Sequence, residues 1–142
     1  MTTPDTTGPV PRPPYALKRT VALPFAEAEQ RVREALGEEG FGVLTEIDVQ
    51  ETLRKKLDVD HRPYRILGAC NPPLAYQALS SEIDVGLLLP CNVIVYEGDE
   101  PGTSVVAALD PVPQLGVAGN ETLDGLAADV RARMERVLAA LE

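Results

Sequence analysis

The turn Gly98-Asp99-Glu100-Pro101-Gly102 constrains this chain more than any other stretch. It joins two β-prone runs, Cys91 to Glu97 and Thr103 to Leu109. Glycine and proline at its corners favour a sharp reversal, so the two runs pair as an antiparallel hairpin. Two long amphipathic helices must then find an apolar surface. From Glu121 to the C-terminus, Leu123, Leu126, Ala127, Val130, Met134, Val137, Leu138 and Leu141 recur at helical spacing and form a wide apolar face. Between Phe25 and Glu39, the residues Phe25, Ala28, Val32, Ala35 and Leu36 do the same, and Gly40 ends the helix. A sheet is the surface such helices cover. The expected fold is therefore α+β, in two layers: a mainly antiparallel sheet with amphipathic helices packed on one face.

The remaining elements fit that frame. Tyr15 to Leu23 alternates as a strand, with Tyr15, Leu17, Arg19, Val21 and Leu23 on one side. Phe41 to Ile47 is a second strand, with Phe41, Val43, Thr45 and Ile47 sharing a face. Asp48 and Glu51 make a capping-box-like start for a short helix striped by Val49, Leu53 and Leu57. Pro63 to Ala69 is a third strand. Asn71-Pro72-Pro73 starts a helix that runs to about Ser80, because asparagine caps well and proline suits the first turn. Asp84-Val85-Gly86 returns the chain, and 110–120, rich in Pro and Gly, is expected to be loop. Residues 1–14 are rich in Pro and Thr and are expected to form a disordered tail, leaving 15–142 as a single domain.

Composition narrows the partners. The chain has no Trp and 4% aromatics, so its core must be aliphatic. A formal net charge of -9 argues against nucleic acid, whose phosphates demand a broad cationic surface. The charge is uneven: between 54 and 65, Arg54, Lys55, Lys56, Arg62 and Arg65 face only Asp58 and Asp60. Lys55, Lys56, Arg62 and Arg65 are thus a candidate anion site. The competing explanation is local, since cations suit a helix C-terminus and surface charge is usually unspecific. No signal-peptide pattern is visible, and the longest apolar stretch, Val85 to Tyr96, is too short to span a bilayer. The expectation is a cytoplasmic protein with reduced thiols and no membrane partner.

Chemistry concentrates on two cysteines in similar settings, Gly68-Ala69-Cys70-Asn71-Pro72 and Leu89-Pro90-Cys91-Asn92-Val93, the only two in the chain. Cys70 ends a strand directly before a helix start, where backbone N–H groups and the helix dipole would favour a thiolate. Cys91 opens a strand. If that strand lies antiparallel beside the one ending at Cys70, both thiols meet at one edge of the sheet, since neighbouring strands lie about 4.8 Å apart. Three uses remain open. The thiols can pack as small hydrophobes, the commonest fate of free cysteine. They can hold a soft metal ion or a small ligand, with Cys70 and Cys91 as metal candidates and Asn71, Asn92 and Asp110 adding polar contacts. Or Cys70 can act as a reactive thiol in a redox or nucleophilic enzyme, with Cys91 resolving. His61, the only histidine, sits in a polar turn; Glu46 and Asp48 flank Ile47 and could share a face. There is no phosphate-binding glycine motif and no nucleophile elbow.

The segments Phe41 to Val49, Thr52 to Leu79 and Gly86 to Glu97, with Asp110-Pro111, resemble the domain-of-unknown-function 302 family. The resemblance extends over roughly 15–142. It implies a compact two-layer α+β domain, a homodimer, and no established activity. The family pattern matches Cys70, Cys91, Asn71, Asn92, Lys55 and Lys56. It departs after Asp110-Pro111, where relatives commonly carry Glu-Ala-Met-Leu. Here Val112-Pro113-Gln114-Leu115 stands, so Gln114 replaces a thioether and weakens any soft-metal role.

Overall fold

The computed structural model describes residues 12–141. Most of the tail expected over 1–14 lies outside the described residues. Arg12 to Pro14 lead directly into the first strand, where the Arg12 guanidinium donates to the Ala16 carbonyl at 3.2 Å.

Five strands form one sheet: β1 (Ala16–Val21), β2 (Gly42–Asp48), β3 (Tyr64–Cys70), β4 (Cys91–Glu97) and β5 (Ser104–Leu109). Their spatial order is β1-β5-β4-β3-β2, and every neighbouring pair is antiparallel. The hairpin at 98–102 is present, closed by the Gly98 N–H donating to the Thr103 carbonyl at 2.9 Å. The helices are α1 (Phe25–Glu38), α2 (Val49–Leu57), α3 (Pro72–Ser81), α4 (Pro111–Gly116) and α5 (Asp124–Ala139). Helices α1 and α5 pack on each other and on the same face of the sheet. Leu17, Leu67, Val93, Val95 and Val106 from the strands meet Val32, Leu36, Met134 and Val137 from those helices in one aliphatic core. The two-layer α+β expectation holds.

Two local expectations are corrected, and a third gains detail. The 110–120 segment is not all loop: Asp110 caps α4, with Pro111 at its first position, where a missing N–H costs nothing. The return after α3 is a 3-10 turn, Ile83–Leu88. On β2 the pairing slips between Val43 and Thr45, so Leu44 stands unopposed as a bulge. Beyond it Glu46 faces Leu67 and Asp48 faces Arg65 across the ladder. Glu46 and Asp48 therefore turn toward α1, while Thr45 and Ile47 are exposed, which breaks the expected Phe41-Val43-Thr45-Ile47 face.

A second, smaller apolar cluster lies beyond one end of the sheet, built from Ala78, Val85, Leu115, Leu123 and Ala127. It packs α3, the 3-10 turn and α4 against the first half of α5.

Candidate functional site

Strands β3 and β4 are neighbours, and Ala69 stands opposite Cys91. Cys70 follows one residue later, so the chain does bring both thiols to the same end of the sheet. Both are free and half-buried. They line a cavity of about 330 Å³ between the main core and the smaller cluster. Ala69, Cys70 and Cys91 line it from the sheet; Leu74 and Ala78 from α3; Gln114 and Leu115 from α4; Leu126 and Val130 from α5. The bulge residue Leu44, two-thirds exposed, and the half-buried Ala75 and Leu79 form its rim. The wall is apolar apart from Thr45, Asn71, Gln114 and the thiols, with Phe41 its one aromatic ring, and it carries no Lys, Arg, Asp, Glu or His.

The electrostatics of this wall oppose a thiolate at Cys91. Burial, and second the neighbouring Cys70, push the Cys91 thiol up to about 11, so it stays protonated at neutral pH. The donors expected beside Cys70 are also missing. Pro72 and Pro73 have no N–H. The first available one, on Leu74, is taken at 3.3 Å by the side chain of Asn71, and the Ala75 N–H goes to the Asn71 carbonyl at 2.9 Å. The Asn71 side chain, buried in the wall, thus works as a helix cap. Among the described residues no group of three or more His, Cys, Asp or Glu is placed to hold a metal ion. A closed soft-metal site wants more than two thiols.

Other candidate residues go elsewhere. Asn92 is exposed, opposite Gly68, on the face away from the buried Val93 and Val95. Asp110 is buried as the α4 cap, accepting the Val112 N–H at 3.0 Å, with Arg131 Nε 3.6 Å from its carboxylate. Neither lines the cavity. The basic segment does not converge on one point. Lys55 pairs with Glu51 at 2.9 Å, Lys56 is exposed, and Arg62 pairs with Asp99 at 3.1 Å. Arg65 lies within 3.5 Å of Glu29 and 3.4 Å of both Glu46 and Asp48. Arg33 meets Glu29 at 3.0 Å and also contacts Glu46, which raises its own pKa against the cost of burial. An anion arriving here would have to displace carboxylates. His61 is exposed, its ring against the Arg62 carbonyl and edge-on to Tyr64.

One site residue escaped the sequence. Gln114 stands on α4, in a stretch expected to be loop. Its amide nitrogen donates to the Leu88 carbonyl, while its Oε1 is buried with no hydrogen-bond partner. The only sequence signal was its place where relatives carry Met.

The family model "Domain of unknown function DUF302" matches residues 17–141. The chain belongs to the DUF302 family. It is also similar to a solved structure, the crystal structure of uncharacterized conserved protein DUF302 from Bacillus stearothermophilus. The identity is 32% and the TM-score 0.83, over 92% of this chain and 100% of that one. No curated protein matches the chain. The two chains share this fold, and the DUF302 description assigns no reaction. Among the described residues no helix is long and apolar enough to cross a membrane.

Proposed function

We propose that this DUF302 domain is a binding module for a small, largely apolar molecule held in the cavity beside Cys70 and Cys91. The cavity itself carries the reading. At about 330 Å³ it falls within the size range of small-molecule sites, and like them it is apolar with a few polar groups. Folded cores rarely leave so much space unfilled. In this reading the thiols serve as polarizable wall. Ala75 is the residue to change, because it lines the cavity yet is only half-buried on α3. Ala75→Phe is expected to abolish binding of naphthalene, followed by ligand-observed NMR, with little loss of thermal stability. Equal binding by both proteins, or none by the wild type to any neutral apolar probe of similar size, would end the proposal.

Self-association has its own surface. The sheet face turned away from α1 and α5 carries Tyr64 stacked on Tyr96 with ring centroids 5.3 Å apart. Beside them Ile66 stands opposite Ile94, and the neighbouring Ile47 is half-exposed. This face supports the homodimer that the family resemblance implies, with a second copy of the chain as its occupant. Light scattering is expected to give a dimer for the wild type and a monomer for Ile94→Lys; a wild-type monomer at high concentration would refute it.

A further inference from the structure

We infer that the ridge formed by Tyr76, Leu79, Ile83 and Leu87 is a docking surface for a basic amphipathic helix of another protein. It borders the cavity mouth but needs nothing bound in the cavity.

The ridge is built from α3 and the 3-10 turn that follows it. Among the described residues, Leu87 at 89%, Ile83 at 78% and Tyr76 at 74% are three of the four most exposed large apolar side chains. Single exposed hydrophobes are ordinary, but these stand together. Tyr76 lies one turn before Leu79, on the same side of α3. The 3-10 turn folds back on Leu79, whose Cδ2 is 3.9 Å from where a Cβ on Gly86 would stand, directly before Leu87. Ile83 opens the same turn, just after α3 ends at Ser81. Leu79 and the exposed Leu44 carry this apolar surface to the cavity rim.

Charge decides which partner fits. From Ile66 to Val130 the sequence holds no Lys, Arg or His. That span supplies all of α3, the 3-10 turn and α4, and the first half of α5. It does hold Glu82 and Asp84, on either side of Ile83, and Glu121. The neighbours of Glu121 bring it to the end of α3: Asn120 Nδ2 donates to Glu82 at 3.3 Å, and the Thr122 hydroxyl meets that of Ser81. None of these three carboxylates has an ion-pair partner among the described residues. The cations that follow in sequence are taken, Arg131 by Asp110 and Arg133 by Asp129. The basic helix α2 starts at the other end of the sheet, since β2 presents Gly42 to Cys70 but Asp48 to Arg65. An anionic membrane is repelled by such a surface, and two copies of it repel each other. A helix with large aliphatic side chains on one face and Lys or Arg at its margins satisfies both halves: it covers the ridge and pairs the carboxylates.

The test uses the full chain and a synthetic amphipathic helix of Leu and Lys, about 18 residues long so that the helix holds. Two controls share its length: the same composition scrambled so that no apolar face forms, and the same pattern with Glu for Lys. By calorimetry at physiological salt, the patterned Leu/Lys helix is expected to bind at least roughly tenfold tighter than either control. Leu87→Ser and Ile83→Ser are each expected to weaken it roughly tenfold, the effect of losing one large aliphatic contact. Both side chains are exposed, so thermal melts should stay unchanged. Asp84→Asn is expected to weaken it severalfold and to flatten its salt dependence. Equal binding of the scrambled helix would reduce the attraction to net charge and overturn the inference. Absence of binding, or binding that Leu87→Ser and Ile83→Ser leave unchanged, would overturn it too. Vesicles of phosphatidylcholine with phosphatidylglycerol are expected to leave the protein in the supernatant; co-sedimentation lost in Leu87→Ser would give the ridge to a membrane instead. Light scattering is expected to give Leu87→Ser the wild-type mass; a dimer lost in that variant would give the ridge to a second copy. None of these outcomes bears on naphthalene binding in the cavity, which is measured separately.

Discussion

The protonation of Cys91 offers the sharpest quantitative test of the site. Burial raises this thiol from 9.0 to about 11. Below pH 9 a rise of that size leaves about a hundredfold less thiolate than an ordinary thiol would have, and only thiolate attacks an alkylating reagent. The experiment follows Cys70→Ser, in which Cys91 is the single thiol and burial, the larger cause of the rise, remains. Iodoacetamide alkylation, read by mass spectrometry, should run at least a hundredfold slower than with free cysteine at pH 7. It should gain about tenfold per pH unit up to pH 10 without levelling. Denaturant should restore the rate of an ordinary thiol. A rate that levels between pH 8 and 9 in the folded protein would refute the reasoning. The same shift has a stability consequence. Because the folded state disfavours the anion, its contribution is fully present below pH 9 and is lost as pH rises toward 11. The loss is about 2–3 kcal/mol and should be missing in Cys91→Ala.

Two further substitutions probe the frame around the cavity. A Cβ on Gly68 would fall 2.1 Å from Thr45 Oγ1 and 3.0 Å from Pro90 Cγ. Gly68→Ala should therefore cost about 1–3 kcal/mol in urea unfolding, with part regained by adding Thr45→Ala; an unchanged midpoint would refute the packing described. Asn71→Ala should cost about 1 kcal/mol by removing the α3 cap, and Asn71→Asp should recover most of it, as read from thermal melts. Equal losses in both variants would show that the cap is not what Asn71 contributes.

Much of this architecture was legible because local signals agreed. The hairpin turn, the caps at Asp48 and Asn71, and the apolar stripes of α1 and α5 each rest on nearest-neighbour chemistry, and the structure keeps them all. The adjacency of Cys70 and Cys91 was legible too, since it needed only two antiparallel strands. What failed depended on relations between distant segments. The bulge at Leu44 changes which side of β2 faces α1, and alternation alone cannot show one residue too many. Asp110 reads from the sequence as a candidate ligand contact at the head of a loop. With Pro111 it is also a sound cap-and-first-turn signal, obscured by the Pro and Gly that follow. The helix start at Cys70 favours a thiolate by its dipole alone, and that Pro72 and Pro73 bring no N–H to it is equally plain in the sequence. Gln114 stayed hidden because its importance arises only when α4 is laid against the sheet end.

The strand order has a consequence for how the chain comes into being. β1 and β2 are consecutive in sequence, yet they form opposite edges of the sheet. A ribosome that has made both has made two strands with no contact between them. β2 gains its partner when β3 emerges, but β1 must wait for Ser104–Leu109, more than eighty residues after its own last residue. Until then its apolar side, Leu17 and Val21, has no ladder to join, and α5 has yet to be synthesised. Pairings that close such long loops form slowly and leave the nascent chain exposed to wrong partners. For this domain the N-terminal strand is the first made and among the last secured, so its shielding during synthesis falls to whatever holds the growing chain.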